Sequence, residues 1–477
     1  MVIVRTFAIM PYKRYLNLLP IVITLFVLLN NGCRKEKFFN GPATLSFDTD
    51  TVYFDTVFTR IPNTNGPRSL NKQLVVRNME KKSVKTTIRL AGGTSSPFRI
   101  NIDGISTTQI NDYEIRGGDS IFIFVECILE ANNLLNPAII IDSIVFNTQG
   151  KISDIKLAAY GWDAYYFRDS ILPCNSIWDK IDKPYVIISS ILVNKNCKLQ
   201  IEKGVHIYAD PYSNIYVLGT IEVNGEKDNE VIFQGDRLQY EYREQPGQWQ
   251  GIHLLRGSLN NKINYAVIKN ASVGIRIDSL PENTNPGLEI NNTIIRNMSS
   301  FGIIGYTAEI VATNCLIHSC GLYNVALVYG GKYDFRHCTI FGSATKYTNH
   351  TEPVLVLNNF RSENGVVTNT YDMAYTFVNN IIYGSIENEV SLAFINTRPP
   401  TISIFEKNLI KVKKPENYNP NNNIINIDPA FVNITNRNFM LSVGSPAINK
   451  GISGIGVLLD LNNKARDATP DIGAYEF

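Results

Sequence analysis

Two hydrophobic rhythms divide this chain. From Ala43 to Gly161, apolar and polar residues alternate in short runs: LSFDTDTVYFDTVF at 45–58, KQLVVRN at 72–78, KTTIRL at 85–90, SIFIFVECIL at 120–129, AIIIDSIVF at 138–146 and DIKLAAYG at 154–161. A period of two puts alternate side chains on opposite faces of a strand, so each run predicts a strand with one buried face. Turn clusters such as Pro62-Asn63-Thr64-Asn65-Gly66 and Arg116-Gly117-Gly118-Asp119 separate them. Short strands with this punctuation predict a β-sandwich over 43–165.

From about 174 to 445 a short motif recurs instead. It reads Ala266-Val267-Ile268-Lys269-Asn270, Thr293-Ile294-Ile295-Arg296-Asn297, Cys315-Leu316-Ile317-His318-Ser319, Cys338-Thr339-Ile340-Phe341-Gly342, Asn380-Ile381-Ile382-Tyr383-Gly384 and Asn408-Leu409-Ile410-Lys411-Val412. The central isoleucines are 27, 22, 23, 42 and 28 residues apart, and the long interval has room for one coil with a large loop or for two short coils. A second column, Gly251-Ile252, Gly274-Ile275, Gly302-Ile303 and Asn324-Val325, keeps similar time with spacings of 23, 28 and 22. Self-similarity at this period predicts a solenoid, because one coil cannot bury its own apolar face and needs a neighbour on each side. The repeats lack both a Leu framework and helical periodicity, which sets aside leucine-rich repeats.

The first 32 residues are different again. Arg5, Lys13 and Arg14 precede the uncharged run Leu16–Leu29, followed by Asn30-Asn31-Gly32-Cys33. A basic stretch followed by a short apolar stretch predicts a secretory signal. Gly32-Cys33 resembles the lipobox of bacterial lipoproteins, which implies cleavage after residue 32, lipidation of Cys33 and a membrane anchor of acyl chains. Residues 33–42 read as a linker; their Arg34-Lys35-Glu36-Lys37 does not match an acidic surface-export signal. The expected location is the cell envelope, with the outer membrane favoured.

Composition narrows the field. The balance of 45 Lys+Arg to 43 Asp+Glu becomes 42 to 43 once Arg5, Lys13 and Arg14 are removed, which offers no footprint for nucleic acid. The 53 asparagines and 32 glycines favour tight turns over long helices. No cysteine or histidine cluster has zinc spacing. Cys174 and Cys197 lie 23 residues apart at the start of the solenoid and form a candidate disulfide; Cys315 and Cys338 should stack on neighbouring rungs as buried thiols or as a second bridge.

Two resemblances follow from these residues. The order VVRN, Pro97–Ile100, Gly117-Gly118-Asp119-Ser120 and Ala158-Ala159-Tyr160-Gly161 resembles immunoglobulin-like domains of the abnormal-spindle/Hydin type. The repeats resemble right-handed parallel β-helix proteins of the pectate-lyase-like superfamily. Asn292, Asn314 and Asn379, three residues before the central Ile, match that family's asparagine ladder; Tyr265, His337 and Lys407 stand at the equivalent places. Gln248-Trp249-Gln250-Gly251-Ile252 resembles the start of a coil, with Trp249 a core residue rather than a sugar platform. Residues 446–477, ending in Asp471-Ile472-Gly473-Ala474-Tyr475-Glu476-Phe477, resemble a terminal segment expected to cover the last open rung. The expected fold is all-β: a right-handed parallel β-helix solenoid preceded by an immunoglobulin-like β-sandwich.

The fold hosts lyases, hydrolases, adhesins and scaffolds, so function must be argued from side chains. If the central Ile points inward, the next residue points outward, giving a column of Lys269, Arg296, His318, Phe341, Tyr383 and Lys411; His253 and Arg276 point outward from the second column. Such a stripe suits an acidic glycan, with rings stacking on sugars and cations pairing with carboxylates or sulfates. It equally describes an ordinary solvated sheet face. Asp278, Glu289, Glu309 and Asp334 are scattered single acids, so a non-catalytic glycan- or surface-binding role is favoured. The alternative is a polysaccharide lyase, which would need Ca²⁺, or a glycoside hydrolase, which would need two carboxylates facing one cleft. Its site would be built by loops: 235–249, with Asp236, Tyr240, Glu241, Tyr242 and Glu244, and 343–376, with His350, Glu352, Arg361 and Asp372. Outside that alternative no cofactor is expected.

Overall fold

The computed structural model describes residues 37–59, 70–131, 137–279 and 285–477. The expected signal segment and the lipidation site Cys33 lie outside them. The chain divides into two compact units, one of residues 1–53, 70–127 and 141–158, the other of residues 54–69, 128–140 and 159–477.

The N-terminal strands form two five-stranded sheets whose pairing is antiparallel in register. Their inward residues Leu74, Ile88, Phe98, Ile123 and Phe146 are fully buried, as the alternation predicts. The motif residues have structural work here. Asn78, the last residue of VVRN, is 1% exposed, and its Nδ2 donates to the carbonyls of Lys82, Ile115 and Arg116. Gly117 packs so closely on this turn that a Cβ would lie 2.4 Å from the Lys81 carbonyl.

The second unit is a parallel β-helix. Twenty-five strands from Tyr165 to Ile425 form one continuous sheet in which each strand pairs with the strand one coil later. This parallel ladder starts earlier than residue 174 and stops before residue 445. Three faces result, called here the first, second and third sheets. The first carries the recurrent motif, with Ile268, Ile295, Ile317, Ile340, Ile382 and Ile410 stacked in register. The second stacks Ile252, Ile275, Ile303 and Val325. The third begins with Ser176–Trp178 and passes through Asn261–Asn264 and Leu288–Asn291. Ile340 pairs directly with Ile382, so the 42-residue interval is one coil with insertions, including an antiparallel hairpin of Phe360–Glu363 and Val366–Thr370. Each of these inward isoleucines is at most 1% exposed and stabilises the stack by about 1.5–3 kcal/mol.

The corner before the first sheet explains the asparagines. Tyr265, Asn292, Asn314, His337, Asn379 and Lys407 all have left-handed backbone, with φ between 46° and 60°. Asparagine tolerates this region because its short amide bonds locally. The amides also link rungs: Asn314 Nδ2 donates to Asn292 Oδ1 at 3.0 Å, and Asn379 Nδ2 to His337 Nε2 at 2.9 Å. Burial, then Arg466, pushes the His337 imidazole down to about 3, which keeps it a neutral acceptor. One position further on, pointing inward, a second column runs through Asn380, Asn408 and Asn423. Each takes the N–H of the rung before it, from Cys338, Asn380 and Asn408, and donates to the carbonyl of Phe335, Phe377 or Phe405. Buried backbone groups at the corners are thereby satisfied.

The ends of the solenoid are closed by different means. At the start, Tyr165, Phe167, Trp178 and Tyr185 form an aromatic plug, with Trp178 and Tyr185 stacked at 4.6 Å, and Cys174 is disulfide-bonded to Cys197 on the next coil. Cys315, Cys320 and Cys338 are buried free thiols; Cys315 and Cys338 are not bridged. At the far end Tyr418 packs on Phe405. Residues 446–477, expected from their sequence to cover the last open rung, lie elsewhere. With the strands Phe431–Asn433 and Asn438–Leu441 they run back along the outside of the first sheet. Phe439, Leu461 and Ala474 pack on Leu316 and Phe341, while Leu441, Ala447 and Ile472 pack on Ile381 and Leu409. The cause lies in the sheet itself: Ile294, Leu316, Ile381 and Leu409 point outward, so this face is apolar and needs a cover. Arg466 pins the cover, donating to Asn314 Oδ1 and to Glu476.

Candidate functional site

The column after the central Ile lies in register on the first sheet, with Lys269 beside Arg296, Arg296 beside His318 and His318 beside Phe341. It is not the solvated stripe expected. His318 is 2% exposed, its ring 4.8 Å from Phe439, and burial, reinforced by Arg296 and Arg437, drives its pKa well below the ordinary imidazole value. Phe341 meets both Phe431 and Phe439. Arg296 is bound to Glu244, which also takes Arg437 at 2.8 Å. Tyr383 is half-buried against the C-terminal cover, and Lys411 lies over its ring and donates to Gly384 O. His318, Phe341 and Tyr383 therefore form no solvent-facing sugar-binding row, and Arg296 is tied to Glu244. The reason is the apolar neighbouring column, whose cover also buries them.

The second sheet keeps an open face. Its outward residues Tyr216, His253 and Arg276 stand on consecutive rungs in register, and Asp278 stands beside Tyr306 on the next row. His253 Nε2 lies 2.8 Å from Asp278 Oδ2, and Arg276 Nε donates to Asp278 Oδ1 at 2.9 Å. Burial opposes ionisation of Asp278, but the bonds from Arg276 and His253 outweigh it and hold the carboxyl below its ordinary value. The Arg276 guanidinium sits over the Tyr306 ring at 5.1 Å. Tyr216 neighbours His253 at 5.7 Å, Tyr306 neighbours Tyr329 at 5.7 Å, and Tyr329 neighbours Tyr371 at 6.1 Å. The result is a row of aromatic rings crossing several rungs, with a carboxylate bracketed by His253 and Arg276 at its centre. Rung spacing fixes Tyr216, His253 and Arg276 about 4.8 Å apart along the axis. Rigid rings at such spacing can stack on successive sugar rings, and the polar trio can bond their hydroxyl or carboxylate groups.

Asp278, Tyr216, Tyr306, Tyr329 and Tyr371 were not picked out as a group by the sequence reading. A signal was present: Asp278 and Tyr306 each lie four residues after the column glycines Gly274 and Gly302. Following both outward rows of the second column, rather than one, would have brought the acid to the histidine.

The loops converge differently from the expected cleft. Tyr347 Oη donates to the Glu241 carbonyl at 3.1 Å, so the two insertions meet, although their parent coils are several rungs apart. Tyr240 is 80% exposed; Tyr242 takes the Arg237 guanidinium over its ring at 4.9 Å. His350 is buried against Glu389 at 2.9 Å, in space that Gly342 and Gly384 leave open. Glu352 accepts from Tyr323, and Asp372 pairs with Arg398. Glu244, Glu352, Glu389 and Asp372 are each bound to a different partner. Trp249 is a core residue, 1% exposed, with Nε1 donating to Lys269 O. Among the described residues no three His, Cys, Asp or Glu side chains come together to hold a metal ion, and no helix is long and apolar enough to cross a membrane.

Fold and face together define a class: a parallel β-helix protein with one covered flank and one open aromatic flank, preceded by an antiparallel β-sandwich. No family model matches the chain, and no curated protein does. Among solved structures, the catalytic domain of a GH87 α-1,3-glucanase in complex with tetrasaccharides aligns at 10% identity over 81% of this chain and 89% of that one, with a TM-score of 0.18. A family 123 glycoside hydrolase from Clostridium perfringens aligns at 10% identity over 29% of this chain and 30% of that one, TM-score 0.21. The E. coli chaperone DraB aligns at 12% identity over 26% of this chain and 57% of that one, TM-score 0.18. At such scores the strand pairing itself, not these likenesses, carries the description of the fold.

Proposed function

We propose that this chain is an exported cell-envelope lipoprotein, anchored through Cys33, whose β-helix binds a glycan without cleaving it. The finer kinship proposed with it is to pectate-lyase-like β-helices and abnormal-spindle/Hydin-type domains. The observation that carries the reading is the second-sheet surface on which Tyr216, His253 and Arg276 stand in register and Asp278 stands beside Tyr306, with Tyr329 and Tyr371 extending the chain of ring contacts. A glycan array probed with the purified chain tests it. Wild type should bind at least one carbohydrate class, and Tyr306→Ala should weaken that binding about 10-fold, the worth of one stacked ring. A wild-type array without signal sinks the reading.

A second reading rests on the 2.8 Å contact between His253 and Asp278. A carboxylate holding an imidazole is the arrangement of a general base, and such a base suits elimination from a uronate polymer. Appearance of unsaturated-product absorbance with wild type and its loss in His253→Gln would replace binding by lyase activity.

A further inference from the structure

At the upper end of the first-sheet column the C-terminal cover arrives as Arg437, bound to Glu244. Lys269 is half-buried at a cleft of about 250 Å³ that is also lined by Gln234, Arg237, Arg243, Asn270 and Asp55, all of the same compact unit. On the next rung stands Arg296, and against it Arg437 and Glu244. The charges do not balance. Lys269, Arg296 and Arg437 face the one carboxylate of Glu244; Arg243 is paired with Asp55 at 3.4 Å, and Arg237 lies on Tyr242. His206, from the rungs before, is neutralised by burial and by Lys269 itself, and His318, below, by burial and the two arginines. Glu244 is also held by Asn297, so it is fixed in place as the partner of Arg296. Burial, then Arg296, pushes the Lys269 amine down to about 8; Glu244 offsets this in part, and Arg437 and Arg243 add to it.

We propose that Lys269, with Arg296 and Arg437 behind it, forms an oxyanion site at the edge of the 235–249 loop, taking a sulfate, phosphate or carboxylate group. The Lys269 ammonium takes such an anion as a point charge, and the guanidinium groups of Arg296 and Arg437 add their positive field to it. The site lies on a different sheet from the aromatic row and does not depend on it. A bound anion supplies the missing negative charge and raises the Lys269 pKa.

The test follows the reactivity of Lys269 in the full chain. A limiting amine-acylating reagent is added across pH 6.5–9.5, and modification of Lys269 is read by peptide mass spectrometry against Lys227, which lies elsewhere and is paired with Asp228. Inorganic sulfate, inorganic phosphate and glucuronate are compared with chloride at equal ionic strength. The expected result is a Lys269 profile centred near 8 in chloride that moves up by about one pH unit with a bound oxyanion, with several-fold slower acylation at neutral pH. Protection by glucuronate alone identifies a saccharide carboxylate as the source, and protection by the inorganic anions identifies a free or esterified oxyanion. Arg437→Gln should weaken the protection in either case. Equal profiles in all four salts overturn the proposal, as does protection that Arg437→Gln leaves untouched.

Discussion

Asn379 joins three levels of the structure, and replacing it should show how they add. Its side chain is fully buried, its backbone is left-handed with φ of 60°, and its amide makes three contacts. Nδ2 donates to Ile452 O at 2.8 Å and to His337 Nε2 at 2.9 Å, and Oδ1 accepts from Ile452 N at 2.9 Å. Alanine would hold the left-handed corner at a cost of about 1–2 kcal/mol. It would also leave both backbone groups of Ile452 without partners, at about 1–3 kcal/mol for each buried group left unmade. Asn379→Ala should therefore destabilise the chain by about 3–8 kcal/mol. Asn379→Gly keeps the corner and loses only the bonds, so it should recover about 1 kcal/mol of that loss. Because a repeat array need not unfold in one step, the loss should appear first as local opening of the C-terminal cover. Urea unfolding followed by circular dichroism gives the total, and amide exchange over 446–477 gives the local term. If Asn379→Ala stays within about 1 kcal/mol of wild type and exchange in 446–477 is unchanged, the amide is not what holds the cover, and the reasoning fails.

The same corners and the start of the solenoid give two shorter expectations. Lys407 occupies the left-handed position with φ of 54° but has no amide to favour it, so Lys407→Asn should raise stability by up to about 1 kcal/mol in urea titration. Reducing the Cys174–Cys197 bond, which closes a 23-residue separation, should lower stability by about 3 kcal/mol and speed exchange in 165–193 while leaving the later coils unchanged.

The register of the solenoid was legible because inward isoleucines must recur at coil length if each rung is to bury the next. The two sequence columns are the observed stacks, and the corner before the motif is left-handed even where Tyr265, His337 and Lys407 replace asparagine. Outward residues were harder. Alternation tells which way His318 points but not what lies above it, and its cover arrives from more than a hundred residues further along the chain. The hydrophobic residues Leu316 and Leu409, one place before the central Ile, were the clue: an outward apolar column on a supposedly solvated sheet demands a cover. Asp278 escaped notice for a different reason. It is one acid in sequence and becomes part of a site only when the rungs bring His253 beside Arg276.

A stack of coils held only by its neighbours behaves like a zipper, able to open from either end one rung at a time. The C-terminal cover changes that. Through Arg466 on Asn314, Arg336 on Ile455, Ile452 on Asn379 and the Ala474 N–H on Thr339, a single segment grips successive coils at once. Those coils must open together or not at all. Synthesis delivers this segment after the coils it binds, so the nascent solenoid must carry its apolar flank bare until the last stretch of chain closes over it.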